Sequence, residues 1–153
     1  MTVERIFISP AHGAAQQECQ QIRVQRGTGI IGDRNFDEHR YPGQNLTLVE
    51  AEVIEAFCAS QNRSTDLSLT RRNLITRGVR LNHLVGMEFS IGTVRMRGIE
   101  LCTPCSDLGQ RLSSETLSVA AVVKQWLHQG GLRVDVLSDG EIHCGMGLAI
   151  EQT

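Results

Sequence analysis

At 153 residues, with 41% hydrophobic and 21% charged side chains, the chain has the size and composition of one globular domain, residues 1–153, that folds without disulfide or metal staples. Its 15 basic and 17 acidic residues alternate without a basic block, which disfavours a nucleic acid polymer as partner, and no stretch nears the roughly 18 apolar residues of a membrane span. The five cysteines lack the spacing of a secreted framework, and the N-terminus lacks an apolar run behind a basic start, so a reducing, cytoplasmic setting is expected.

Alternating apolar and polar residues predict a strand over 3–9, stopped by Pro10, and another over 19–26 with Ile22 and Val24 on one face. A glycine-rich loop over 27–34 follows. A short strand over 46–49 then leads into a helix over 50–59, with Val53, Ile54 and Phe57 on one side. Residues 67–76 return to β character. The stretches 87–91 and 93–97 alternate around a turn at Gly92. A helical turn over 107–112 and a helix over 119–128, closed by Gly130-Gly131, precede strands over 132–137 and 142–151 joined at Asp139-Gly140. Many short strands, few helices and no β-α alternation predict a mainly β fold, a barrel or sandwich.

Gly27, Gly29 and Gly32 match the spacing of a dinucleotide fingerprint. That motif works only where a helix N-terminus follows to meet the pyrophosphate, and Pro42 and Gly43 leave too short a segment for one. A turn built on positive φ is the plainer reading.

Cys102-Thr-Pro-Cys105 follows a strand and precedes a short helix. A thiolate just before a helix is stabilised by unpaired amides, which favours nucleophilic or metal-binding behaviour. Three functional readings compete. A dithiol redox pair lacks the βαβ surround of a thioredoxin site. A zinc site would need His143 and Cys144 as further ligands, and neighbours on a strand point to opposite faces. The third is a single functional cysteine with Cys102 beside it. Burial of both as small hydrophobes is the structural alternative. Cys19, Cys58 and Cys144 fit core packing, and His39 stands out among the histidines for its place after Asp33-Arg34. Within the β segment, Arg71 and Asn73 would share a face and could hold a phosphate or a polar heterocycle, although paired arginines are also common as solvated charge.

Taken in order, Gly29-Ile-Ile-Gly-Asp-Arg34, Leu48-Val-Glu50, Arg71-Arg-Asn-Leu-Ile-Thr76 with Gly78, Leu84-Val-Gly-Met-Glu-Phe-Ser-Ile-Gly92, Cys102-Thr-Pro-Cys105, Gly131-Leu-Arg133 and Asp139-Gly-Glu-Ile142 resemble the MOSC family, named for the C-terminal domain of molybdenum cofactor sulfurase. The resemblance implies a MOSC-type β-barrel core with a few short helices, and an essential cysteine at the Pro-Cys position, Cys105. In relatives that bind the molybdenum cofactor (Mo-molybdopterin), the matching cysteine ligates molybdenum. Cys105 is therefore the implied catalytic residue and metal ligand. Arg71 and Asn73 are the implied holders of the pterin phosphate, with Glu50 near the same pocket. Gly145-Met146 departs from the Gly-Asp that many relatives carry after the last hairpin.

Small stand-alone relatives are linked to reduction of N-hydroxylated bases and amidoximes. The leading expectation is therefore a molybdenum-dependent oxidoreductase acting on a small N-hydroxylated substrate. A partner protein would supply electrons, because the chain shows no flavin or haem motif. The alternative is a sulfur carrier or delivery module with a persulfide on Cys105, serving metal-sulfur or molybdenum cofactor maturation. A third reading is a binding module without chemistry. Exposed sheet edges leave a homodimer open.

Overall fold

In the computed structural model, which describes residues 1–40 and 42–151, period-two burial along the strands curls one long sheet around an aliphatic core. In chain order the strands are β1 (Thr2–Ile8), β2 (Gln17–Cys19), β3 (Gln21–Gln25), β4 (Gly29–Ile30), β5 (Leu46–Glu50), β6 (Leu74–Arg77), β7 (Glu88–Ile91), β8 (Val94–Leu101), β9 (Leu132–Val136), β10 (Gly140–His143) and β11 (Leu148–Ile150). The helices are α1 (Ala51–Ser60), α2 (Ser106–Leu112) and α3 (Val119–Gln125), with a 3-10 turn over Leu81–Leu84. The large sheet runs β11-β7-β8-β9-β5-β6-β1-β2, and a smaller one runs β10-β3-β4. Among the named strands of the described residues, β5 and β6 alone pair in parallel, and α1 lies in the crossover that a parallel pair requires.

The sheet curls until β1 reaches the segment before β11. Val3 N donates to Met146 O (2.9 Å), Gly145 N to Val3 O (2.7 Å) and Leu148 N to Met1 O (3.0 Å). The expected β-barrel core is thus formed, and Ile22, Val24, Ile30 and Ile142 of the small sheet pack into the same cluster as Leu48, Leu74, Phe89 and Val134. Met146 is used in this closure. Its sulfur accepts from His143 N (3.4 Å) and its side chain packs against the main core. A second cluster lies outside the barrel, where Val49 and Ile75 meet Ile54 and Phe57 of α1, Leu108 and Leu112 of α2, Val122 of α3 and Trp126. This outer layer fixes α2. Among the described residues, no helix is long and apolar enough to cross a membrane.

The structure corrects the sequence reading at four places. The stretch 67–76 is not one strand: turns occupy 67–70, Arg71 adopts φ 59°, and β6 begins only at Leu74. The stretch 19–26 divides at Gln20, because Cys19 pairs with Ile6 in one sheet while Ile22 pairs with Ile142 in the other. The last strand divides likewise into β10 and β11, so Asp139-Gly140 joins two sheets and makes no hairpin. The Asp139 carboxylate instead accepts from Arg26 N (2.7 Å). α3 stops at Gln125, and the left-handed positions beyond it are His128 and Gly131, not the Gly130-Gly131 pair.

After the glycine loop come turns and no helix, so the local geometry a dinucleotide fingerprint needs is missing. Gly27 and Gly29 both have positive φ (75° and 102°). A methyl at Gly29 would lie 2.5 Å from the Asn45 carbonyl oxygen, whereas one at Gly27 meets nothing within 4 Å. Gly27→Ala is therefore expected to cost about 1–2 kcal/mol, the left-handed penalty alone. Gly29→Ala should cost clearly more, and urea unfolding of the two variants checks the difference.

Candidate functional site

The chain leaves β8 at Leu101, and Cys102 N donates to Gly131 O (2.8 Å), which extends the ladder by one step. Burial then alternates: Cys102 and Pro104 face inward, Thr103 and Cys105 outward. Cys105 thus takes the N-cap position of α2 with its thiol exposed, and its carbonyl accepts from Gly109 N (3.0 Å). Leu108 and Leu112 bury one face of α2, which turns Asp107, Gln110 and Arg111 outward.

That outward face borders an open depression of about 510 Å³ lined by Gly13, Arg71, Asp107, Gln110 and Arg111. Arg71 and Arg111 line it, and Arg34 and Arg72 lie close enough to interact electrostatically with one or the other. Arg111 is exposed overall, yet loss of solvent around its guanidinium lowers its pKa, with Arg71 and Arg72 lowering it further against the opposing pull of Cys105 and Asp107. Arg34 is lowered for the same first reason and also feels Arg71 and Arg72, while Asp33 opposes the shift. Among the described residues, Arg71, Arg72 and Arg111 form no ion pair with a carboxylate, and Arg34 has only Asp33, at 3.5 Å.

Hydrogen bonds hold these cations side by side. Asp33 is buried and accepts from Ser9 N (3.0 Å) and Asn35 N (3.2 Å). Arg34 donates to the Arg71 carbonyl (3.0 Å) and to Gln16 Oε1 (3.3 Å). Arg71 donates to Ala14 O (2.8 Å) and, at 3.4 Å, to Ser9 Oγ. Arg72 Nε reaches Gly130 O (2.9 Å), in the loop that also anchors Cys102. The Gly-Asp-Arg turn and the Arg-Arg-Asn segment, far apart in the chain, are therefore one assembly, and Arg111, which interacts with Arg71, Arg72 and Cys105, lies between it and the thiol.

Other depressions differ in charge balance. One of about 650 Å³ contains Arg77 paired with Glu4 (2.5 Å) and Glu55 (2.8 Å), and Arg5 paired with Glu18 (2.7 Å). Another of about 460 Å³ beside β3 and β10 has Arg23 paired with Glu141 (2.9 Å) and no nucleophile. Matched ion pairs of this kind are ordinary surface chemistry. The α2 depression alone of these three combines unmatched cations with a neighbouring exposed thiol.

Two residues expected at the site are placed differently. Asn73 is fully buried and does not share a strand face with Arg71, because the left-handed turn at Arg71 ends before β6 begins. Its Oδ1 accepts from Thr47 N (3.1 Å) and Thr47 Oγ1 (3.2 Å), and its Nδ2 donates to Phe7 O (3.2 Å). Its amide ties β1, β5 and the approach to β6 together. Glu50 lines a separate depression with Arg80, Asn82 and His128, and shares no lining residue with the thiol site. Burial raises its pKa, partly offset by Arg80 at 3.8 Å. His39 pairs with Asp37 (2.7 Å) in an exposed turn. Among the described residues, no three His, Cys, Asp or Glu side chains gather as a metal site, which leaves the zinc reading without a ligand set. Arg34, Arg72 and Arg111 were not singled out from sequence. An arginine in a helix's last turn has an ordinary explanation in the helix dipole, so nothing marked Arg111 as different.

A family model described as the MOSC domain matches residues 35–148. The YuaD protein from Bacillus subtilis shares the fold with a TM-score of 0.81 at 15% identity, over 99% of this chain and 96% of that one. YiiM from Escherichia coli gives 0.70 at 17% identity over 100% and 71%, and YiiM from Geobacillus stearothermophilus 0.75 at 13% over 99% and 75%. A search of curated proteins finds no sequence match.

Two measurements check these placements. Asn73→Ala removes one buried and two half-buried hydrogen bonds and should lower stability by about 2–3 kcal/mol in denaturant unfolding. Because burial holds the folded pKa of Glu50 above its ordinary 4.5, the folded state binds the proton more tightly. Its contribution is favourable below pH 4.5 and is lost as pH rises through the folded pKa. Glu50→Gln should flatten that part of the pH–stability curve and leave the protein no less stable at pH 7.

Proposed function

The chain belongs to the MOSC domain family, which is associated with molybdenum cofactor binding, and from that premise we propose that it holds the cofactor between Cys105 and the converging arginines and reduces a small N-hydroxylated substrate. The observation that carries the reading is the unmatched charge at the thiol. Arg71 and Arg111 line the depression with Arg34 and Arg72 close by, and Asp33 on Arg34 and Asp107 beside Arg111 offset only part of that charge, so an anion would be favoured there.

The donor set fits the group. Guanidinium forks suit a phosphate, and an exposed thiol is a soft ligand suited to a transition metal. Arg71 and Arg72 would take the phosphate, and Cys105 would give the thiolate ligand. Asp33 and Arg34 would keep Arg71 in its left-handed turn, and Asn73 would hold the segment in place from below. Glu50, in its separate depression, has no contact role in this reading. When bound, the cofactor would supply two-electron redox chemistry with oxygen-atom transfer at molybdenum. Reduction of an N-hydroxylated base to the amine consumes two electrons and two protons and releases water, with the electrons drawn from a partner protein. The open depression leaves α2 and its thiol accessible to a small substrate.

Protein made in a cofactor-producing host should carry molybdenum and pterin and reduce an N-hydroxylated base once given electrons. Cys105→Ser should abolish the reduction. Arg71→Gln should weaken pterin retention by about ten-fold or more, the loss of one charge-assisted hydrogen bond. Wild-type protein free of both molybdenum and pterin would contradict the proposal. A reductant-labile mass gain of one sulfur on Cys105 would instead support sulfur delivery.

A further inference from the structure

The short helix α2 carries the thiol at its start and a cation in its last turn. Helical side chains lean toward the N-terminus, so Arg111 extends back along α2, and its Nε donates to the Asp107 carbonyl (3.4 Å). Its two terminal nitrogens make no hydrogen bond or ion pair among the described residues, although Asp107 and Cys105 attract it, and it lines the same depression as Arg71. Arg71 arrives from the barrel and Arg111 from the outer helical layer. The depression of about 510 Å³ has ample room for a tetrahedral oxyanion between them.

We propose that Arg111 clamps a phosphate dianion against Arg71, so that anion binding fixes α2 to the barrel and shields the Cys105 thiol. The inference deepens the cofactor reading and rests on it for the natural ligand, a phosphomonoester. The clamp itself is testable with phosphate alone. An anion bridging Arg71 and Arg111 covers the outward face of α2, at whose start the exposed Cys105 sits, and so obstructs a reagent approaching the sulfur. Helix α2 thereby links occupancy of the anion site to exposure of the sulfur.

The test is the alkylation rate of Cys105, read by peptide mass spectrometry, with inorganic phosphate or with chloride at equal ionic strength. The half-buried Cys19 and Cys144 serve as internal references. Phosphate should slow Cys105 alkylation several-fold in the wild type without changing the references. Arg111→Gln should abolish that protection, and Arg111→Lys should restore part of it. Equal protection in wild type and Arg111→Gln, or none in the wild type, overturns the inference. Arg111-dependent protection in a protein that never acquires molybdenum or pterin upholds the clamp and counts against the cofactor reading alone.

Discussion

The buried carboxylate of Asp33 is the point on which the candidate site depends. A charge removed from water is tolerated only when it is paired and hydrogen-bonded, and Asp33 meets this with two backbone amides and Arg34. In doing so it joins the end of β1, the glycine turn and, through Arg34, the left-handed carbonyl at Arg71. Three segments remote in sequence are held at one place. Without that carboxylate, Arg34 and Arg71 would be neighbouring cations with no counter-charge between them.

The barrel and the outer helical layer contribute different halves of the site. The barrel supplies Arg71 and Arg72 on a segment braced by Asn73, whose amide spans β1 and β5. The outer layer supplies Cys105 and Arg111 on α2, fixed by Leu108 and Leu112 against α3 and α1. Gly130 and Gly131 connect the halves, because Arg72 bonds the first and Cys102 the second. Local features here run against stability: a non-glycine residue at φ 59°, and cations brought together without matching carboxylates. Such conflicts collect where a ligand is to be received.

Much of the fold was legible because it rests on periodicity. The period-two burial of Ile22 and Val24, and of Val94 and Met96, is visible in the sequence and holds in the structure. Partner choice was not legible. Nothing local shows that Cys19 and Ile22 enter different sheets, or that Asp139 caps Arg26 in place of turning a hairpin. The place of Cys105 just before a helix was readable, and the structure puts it at the start of α2. Arg71 was read on a wrong premise, an extended strand, since an arginine gives no warning of a positive φ. Asn73 carried the signature of a ligand, but its amide is taken up by backbone groups and the Thr47 hydroxyl, and Arg111 looked like a simple helix-end cation. Tertiary contacts decide which polar residues are free, and those are not local properties.

The central claim is that the thiol of Cys105 and the arginine group receive one ligand. X-ray absorption at the molybdenum edge of the loaded protein tests it most directly. The account predicts a sulfur neighbour of molybdenum that disappears in Cys105→Ser while pterin remains detectable. A molybdenum environment identical in wild type and Cys105→Ser would contradict it.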